Sequence, residues 1–126
     1  MVHADSSNFA AGVTKEDAYQ QVIEQAKTLL EDQRNWVACQ TIAFGRGVCG
    51  AAAASGKTQL VPDVEAFPGH IACDSESKSE IVVPIPQGNK VVAIIDIDCA
   101  VQSGFDAVDQ QYLEEFAALL AEACDW

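Results

Sequence analysis

Three cysteines in the middle of the chain, Cys39, Cys49 and Cys73, are the residues best suited to chemistry. The chain contains five cysteines, and its N-terminus shows no basic region followed by an apolar stretch, so we expect no secretory signal. Cysteines in such a chain are expected to be reduced thiols, and their odd number argues against complete internal pairing. The sequence therefore favours buried, metal-bound or redox-active thiols over a framework of structural disulfides.

Cys73 lies in a polar loop beside an imidazole, in the order His70-x-x-Cys73. Such surroundings favour an exposed and reactive thiolate. The sequence has no Cys-x-x-Cys pair and no second ligand pair to match His70 and Cys73, so no bound metal is expected. Cys99 and Cys124 are predicted to be small buried hydrophobic residues.

Three acids, Glu80, Asp96 and Asp98, lie on two predicted strands of a hairpin. Asp96 and Asp98 alternate along one strand and therefore share a face. A three-residue loop would place Glu80 opposite Asp96, whereas a two-residue Gly88-Asn89 turn would place them on opposite faces. If the acids do meet, repulsion raises one carboxyl pKa and keeps a proton ready for donation. Solvated acids at a strand end remain the alternative.

The elements that position these residues follow from the apolar pattern. Thr14 opens an amphipathic helix that continues to about Leu30. Residues 37–44 and 59–61 read as strands, the small-residue run 51–54 as a short helix, and residues 66–79 as a long loop. The hairpin comprises Glu80–Pro86 and Lys90–Asp98, and a last helix begins near Asp106. The predicted buried face of that helix is Val108, Tyr112, Phe116, Leu119, Leu120 and Ala123.

This order of elements predicts one α+β domain over residues 14–126, an antiparallel sheet flanked by the N- and C-terminal helices, with residues 1–13 as a flexible tail. Gly45-x-Gly47-x-x-Gly50 matches a dinucleotide-binding pattern in letters, but its context favours a tight turn with positive φ at Gly45 and Gly47.

The composition excludes several classes of partner. A net charge of −12 opposes binding to nucleic acid and to anionic membranes. No apolar run reaches the length needed to span a membrane. We therefore expect a cytoplasmic protein, with a nuclear pool as an open alternative, that meets a small ligand in a pocket.

Four motifs resemble the free methionine-(R)-sulfoxide reductases, especially the fungal members. The motifs are Gly45-Arg46-Gly47-Val48-Cys49-Gly50, Gly69-His70-Ile71-Ala72-Cys73-Asp74, Ser79-Glu80-Ile81-Val82-Val83-Pro84 and Ile95-Asp96-Ile97-Asp98. The resemblance implies a GAF fold, here in a shortened form that lacks its first strands. It also implies thiol-dependent reduction of free methionine-(R)-sulfoxide, in a response to oxidative stress.

The resemblance gives each candidate residue a role. Cys73 corresponds to the nucleophile, and Cys39 and Cys49 to the cysteines that form the redox-active disulfide. The sequence leaves open which of these two reacts first. Glu80, Asp96 and Asp98 correspond to the acids that bind and protonate the sulfoxide oxygen. Thioredoxin, supplied with electrons from NADPH by thioredoxin reductase, is the implied reductant; no bound cofactor is implied, and a homodimer is left open.

The chain departs from the family before Cys39. Asn35-Trp36-Val37 runs directly into Ala38-Cys39, so the intervening helix and two strands of the family are missing. The aromatic residues that enclose the substrate's methyl group have no assignable counterpart. Two other interpretations therefore stay open: an inactive shortened relative, and a GAF-like module that binds a small ligand or senses redox state.

Overall fold

The computed structural model describes residues 14–31, 45–70 and 76–126. Three helices and three strands follow one another in these ranges: α1 (Lys15–Glu31), α2 (Gly47–Ser55), β1 (Gln59–Val61), β2 (Ser79–Gln87), β3 (Lys90–Cys99) and α3 (Ala107–Ala123). A short 3-10 turn, Val64–Ala66, follows β1. The strands form an antiparallel sheet in the order β1-β2-β3, which confirms the predicted α+β class.

Several predictions concern residues outside the described ranges. These are the tail at 1–13, the strand at 37–44, Cys39 and Cys73. In the part of the chain that is described, no helix combines the length and apolarity needed to cross a bilayer.

The central strand β2 is covered on both faces. Ile81, Val83 and Ile85 pack against Leu113 and Ala117 of α3. On the other face Val82 joins a second apolar cluster, formed with Val48, Ala52, Val61 and Val64. The small residues of α2 allow that helix to approach the sheet closely, as the alanine run predicts. The α2 face of the sheet, where the acids also lie, is therefore distinct from the α3 face.

The β2–β3 hairpin has a register that neither predicted alternative anticipated. Gln87 pairs with Lys90 across a two-residue turn, in which Gly88 adopts a φ of 61°. One extra residue, Val92, then lies between two pairs of the ladder, Ile85–Ala93 and Pro86–Val91. This bulge shifts the register by one residue and so reverses which side chains share a face.

As a result, Glu80 lies opposite Asp98, and Val82 lies opposite Asp96. The predicted three-residue loop with Glu80 opposite Asp96 is wrong. The expectation that a two-residue turn would separate the acids is also wrong, because the bulge restores their common face. Glu80, Asp96 and Asp98 therefore all lie on the α2 face of the sheet.

The ends of the long helices follow their predicted signals. The Thr14 hydroxyl accepts a hydrogen bond from the Asp17 backbone N–H at 3.2 Å. Asp106 and Asp109 form a reciprocal capping box at the start of α3. The predicted buried face of α3 is confirmed in part: Leu120 packs against the core, but the buried positions of the helix are Asp109, Leu113 and Ala117. The predicted buried face did not include Asp109, because the sequence around it does not reveal its partners on α1.

Asp109 connects α1 to α3. Its carboxylate accepts hydrogen bonds from Lys15 Nζ at 2.5 Å and Tyr19 Oη at 2.7 Å, and from the Asp106 backbone N–H at 2.8 Å. The Tyr19 ring also stacks on Tyr112, with ring centroids 5.4 Å apart. Burial and the hydrogen bond to Asp109 raise the pKa of Tyr19, so its hydroxyl stays a donor. A single carboxylate therefore holds three donors from two helices.

Replacing Asp109 with alanine is expected to lower the free energy of unfolding by about 2–3 kcal/mol, because a cap and a cross-helix hydrogen bond are lost together. Urea unfolding followed by circular dichroism measures this loss. Glu115→Ala, an exposed acid on the same helix, should change stability by less than about 0.5 kcal/mol. Equal effects of the two substitutions would contradict a connecting role for Asp109.

Candidate active site

Three elements bring one sulfur and two carboxylates together. The Cys49 thiol, in the first turn of α2, donates to Asp96 Oδ2 on β3 at 3.2 Å. The same sulfur lies 4.0 Å from Glu80 Oε1 on β2. The Cys49 sulfur and one carboxylate oxygen each from Glu80 and Asp96 all lie within 4.8 Å of one another. The structure thus joins three of the six predicted site residues in one cluster.

Cys49 reaches the acids because of the turn that precedes it. Gly45 and Gly47 have φ angles of 77° and 63°, which confirms the predicted backbone turn. α2 begins at Gly47, so Cys49 occupies its first turn and faces the sheet. The packing of Val48 and Ala52 in the apolar cluster fixes the rotation of the helix.

The third acid, Asp98, faces Glu80 across the hairpin. Its Oδ1 accepts a hydrogen bond from the Ser77 hydroxyl at 2.8 Å. Sequence reasoning did not select Ser77, because a serine in a polar segment before a strand carries no signal of its own. Its contact with Asp98 depends on the register of the hairpin, which its own sequence context does not determine.

Glu80 has the most perturbed environment of the described acids. Only 5% of the residue is exposed. Burial, a hydrogen bond with Asp96 and the charges of Asp96 and Asp98 raise the pKa of Glu80 to about 8. The carboxyl therefore keeps a proton near neutral pH, as expected for acids that meet on one face.

His70 contacts the other side of the same carboxyl group. Its Nε2 lies 3.7 Å from Glu80 Oε2, and its side chain is 15% exposed. The residue ends a tight turn in which its backbone N–H donates to the Phe67 carbonyl at 3.1 Å. Because Cys73 lies outside the described residues, the proximity of His70 to that thiol stays a prediction.

The remaining cysteines differ in their surroundings. Cys124 is buried with 8% of its surface exposed, as predicted. Burial and the nearby charge of Asp125 raise the pKa of its thiol. Cys99 is only half-buried at the end of β3, so its predicted burial is confirmed in part.

A shallow cavity of about 490 Å³ opens between the start of α2 and the segment before His70; it is lined by Gly45, Arg46, Gly47, Ala51, Phe67, Pro68 and Gly69. Phe67 packs against the same apolar cluster as Cys49 and supplies an aromatic surface there. The clustered sulfur and oxygens are also atom types that divalent metals accept, so the expectation of no bound metal stays a prediction.

Comparison with known proteins identifies the fold first. The GAF domain family matches residues 8–125. A solved GAF domain superposes with a TM-score of 0.90 and 36% identity, over 100% of this chain and 98% of that chain. The fold is that of a GAF domain.

Similarity to two reductases shows which family of GAF-domain proteins the chain belongs to. Free methionine-R-sulfoxide reductase from Saccharomyces cerevisiae is 37% identical over 169 aligned positions, which cover 97% of this chain and 94% of the yeast protein. The Neisseria meningitidis enzyme of the same name, solved in complex with its substrate, superposes with a TM-score of 0.80 and 30% identity, over 91% of this chain and 93% of that chain. The chain belongs to the free methionine-R-sulfoxide reductase family of GAF-domain proteins.

The same comparison bears on the missing segment. The yeast alignment extends over 169 positions, whereas this chain has 126 residues, so at least 43 aligned positions contain no residue of this chain. The chain also spans only 61% and 60% of the length of two bacterial relatives. A shortened family member is what the motifs predicted; the position of the gap before Cys39 stays a prediction.

Proposed function

We propose that this chain reduces free L-methionine-(R)-sulfoxide to L-methionine. The observation that carries the proposal is the buried carboxyl group of Glu80, held in one cluster with Cys49 and Asp96. A sulfoxide oxygen leaves sulfur readily only after it gains a proton. A buried acid whose pKa is raised to about 8 still holds that proton at neutral pH. A site that only binds a neutral ligand has no need of three clustered acids.

In the proposed reaction the Cys73 thiolate attacks the sulfoxide sulfur while Glu80 protonates the oxygen. The bond between methionine sulfur and oxygen breaks, and the oxygen ends on Cys73 as a sulfenic acid. Two electrons pass from Cys73 to the substrate, and methionine leaves. The thiol of Cys39 or Cys49 then condenses with the sulfenic acid to a disulfide, and the oxygen departs as water.

The proposed reductant is thioredoxin. Thiol exchange with its two cysteines returns the disulfide to two thiols without any bound cofactor. NADPH supplies the electrons through thioredoxin reductase. A homodimer and a cytoplasmic location, with a nuclear pool as the alternative, belong to the same proposal.

A second candidate is an inactive relative that keeps the acids and cysteines without a closed pocket. The observation that favours it is the gap of at least 43 positions in the yeast alignment. The segment predicted to be missing would contribute aromatic residues around the methyl group of the substrate. Among the described residues, Phe67 packs against the same apolar cluster as Cys49, and one ring leaves much of such an enclosure open.

The deciding experiment follows NADPH oxidation by purified protein with thioredoxin, thioredoxin reductase and each epimer of free methionine sulfoxide. The proposal expects turnover with the R epimer and none with the S epimer. A matched version of the protein tests the effect of the missing segment: it carries, inserted before Cys39, the segment of the yeast relative that has no counterpart in this chain. Turnover by the lengthened version alone would establish the inactive relative. Tight binding without turnover by either version would establish a binding module.

A further inference from the structure

We propose that His70 returns the proton to Glu80 in each catalytic cycle. This inference rests on the proposed function, since it concerns the acid that protonates the sulfoxide. Every turnover transfers one proton from Glu80 to oxygen, and that proton later leaves as part of a water molecule. Glu80 must therefore regain one proton before the next sulfoxide can react.

The burial of Glu80 limits how that proton can arrive. The residue is 5% exposed and lies between β1 and β3, opposite Val61 on one side and Asp98 on the other. Bulk water has little direct access to its carboxyl group. The proton must then pass through a neighbouring side chain that itself meets solvent.

The two oxygens of Glu80 face different neighbours. Oε1 points toward the Cys49 sulfur at 4.0 Å, and Oε2 points toward His70 Nε2 at 3.7 Å. One oxygen is therefore placed to give a proton into the site while the other is placed to receive one. A closing movement of less than about 1 Å would bring the imidazole nitrogen to hydrogen-bond distance, and such contacts often tighten in a substrate complex.

His70 has the chemistry that this role requires. Among the described residues, the titratable groups near Glu80 are Cys49 from α2, Asp96 and Asp98 from β3, and His70 from the segment before Cys73. Imidazole is the side-chain type that gains and loses a proton near neutral pH. The 15% exposure of the His70 side chain connects its ring to solvent.

The test separates the first turnover from the later ones. In His70→Ala the first turnover should still form methionine, because Glu80 already holds its proton, and its rate should fall only as far as the thiolate fraction of Cys73 falls. With saturating thioredoxin, the steady-state rate should then fall by about 10- to 100-fold. Added imidazole should restore part of that rate. His70→Gln keeps a side chain of similar size and should show the same steady-state loss, which guards against a folding defect in the alanine variant.

The other histidine of the sequence, His3, provides a matched control, and His3→Ala should leave both rates unchanged. A His70→Ala protein with the wild-type steady-state rate would overturn the proposal. A first-turnover rate that falls as far as the steady-state rate would also overturn it, since His70 would then act before proton return. Failure of the wild-type protein to form any methionine would instead refute the proposed function, so the two failures are distinguishable.

Discussion

Changing Cys73 to serine is expected to abolish formation of methionine from the sulfoxide, with a loss of at least about a thousandfold. A serine hydroxyl is a weak nucleophile toward sulfur and cannot form the sulfenic acid that the reaction requires. Rapid quenching with quantification of methionine measures the first turnover without any contribution from thioredoxin. Residual methionine formation in Cys73→Ser would refute the assignment of the nucleophile.

The position of Cys49 explains why Cys73 is the expected attacking residue. Asp96 contacts the Cys49 sulfur at 3.2 Å, and Glu80 lies 4.0 Å away. If the Cys49 sulfur were a thiolate, its negative charge would be repelled by the Asp96 carboxylate beside it. Cys49 is better placed to act after the sulfoxide has been reduced, as a thiol that condenses with the sulfenic acid.

This reasoning gives a direct contrast between the variants. Cys49→Ser should retain the first turnover, whereas Cys73→Ser should lose it. Cys99→Ser, at a half-buried cysteine outside the cluster, is the matched control and should behave as wild type. Loss of the first turnover in Cys49→Ser, together with its retention in Cys73→Ser, would reverse the two roles.

Local signals predicted the elements well because those signals act over a few residues. The Thr14 cap, the alanine run of α2 and the acidic first turn of α3 each operate within one helical turn. The two apolar runs of β2 and β3, joined across Gly88 and Asn89, likewise indicate a hairpin without reference to the rest of the chain. These features depend on interactions between near neighbours in the chain, so they can be predicted from the sequence.

The register of the hairpin was not predictable from the same information. Val91, Val92 and Ala93 are all apolar, so nothing in their types shows which residue bulges. Yet one bulged residue determines whether Glu80 shares a face with Asp96 and Asp98. The acid cluster was expected only conditionally for this reason, and the motif resemblance supported it where spacing could not.

Asp109 illustrates a second limit. Its partners Lys15 and Tyr19 lie 94 and 90 positions earlier in the chain. A charged residue on a helix is normally solvated, so the apolar pattern gave no reason to include Asp109 in the buried face. Only the packing of α1 against α3 reveals that this carboxylate is buried.

Glu80→Gln is expected to stabilise the fold as the pH rises. The pKa of Glu80 rises from 4.5 to about 8 in the folded protein, so between these values the folded state holds a proton that the unfolded chain has lost. The stability of the wild type therefore falls as pH increases through this window. Glutamine resembles the protonated acid at every pH and removes that loss.

The gain in unfolding free energy should be near zero at pH 4 and reach about 1–3 kcal/mol at pH 8.5, since each unit of pKa shift corresponds to about 1.4 kcal/mol. The gain should be smaller than the whole pKa shift of Glu80 would give. Asp96 and Asp98 share in the charge repulsion, and they relax when the charge of Glu80 is removed. Urea unfolding across this pH range measures the difference. Glu122→Gln, an exposed acid on α3, should give a flat difference near zero.

The same substitution should lower the rate of methionine formation by about 10²- to 10⁴-fold, because an amide cannot donate an acidic proton to the sulfoxide oxygen. Gain of stability and loss of activity from one change of carboxyl to amide would identify Glu80 as an acid held protonated for chemistry. A variant that loses stability as well as activity would show that Glu80 supports the fold. An active Glu80→Gln protein would indicate that the proton donor is Asp96 or Asp98, whose carboxyl groups lie on the same face of the sheet.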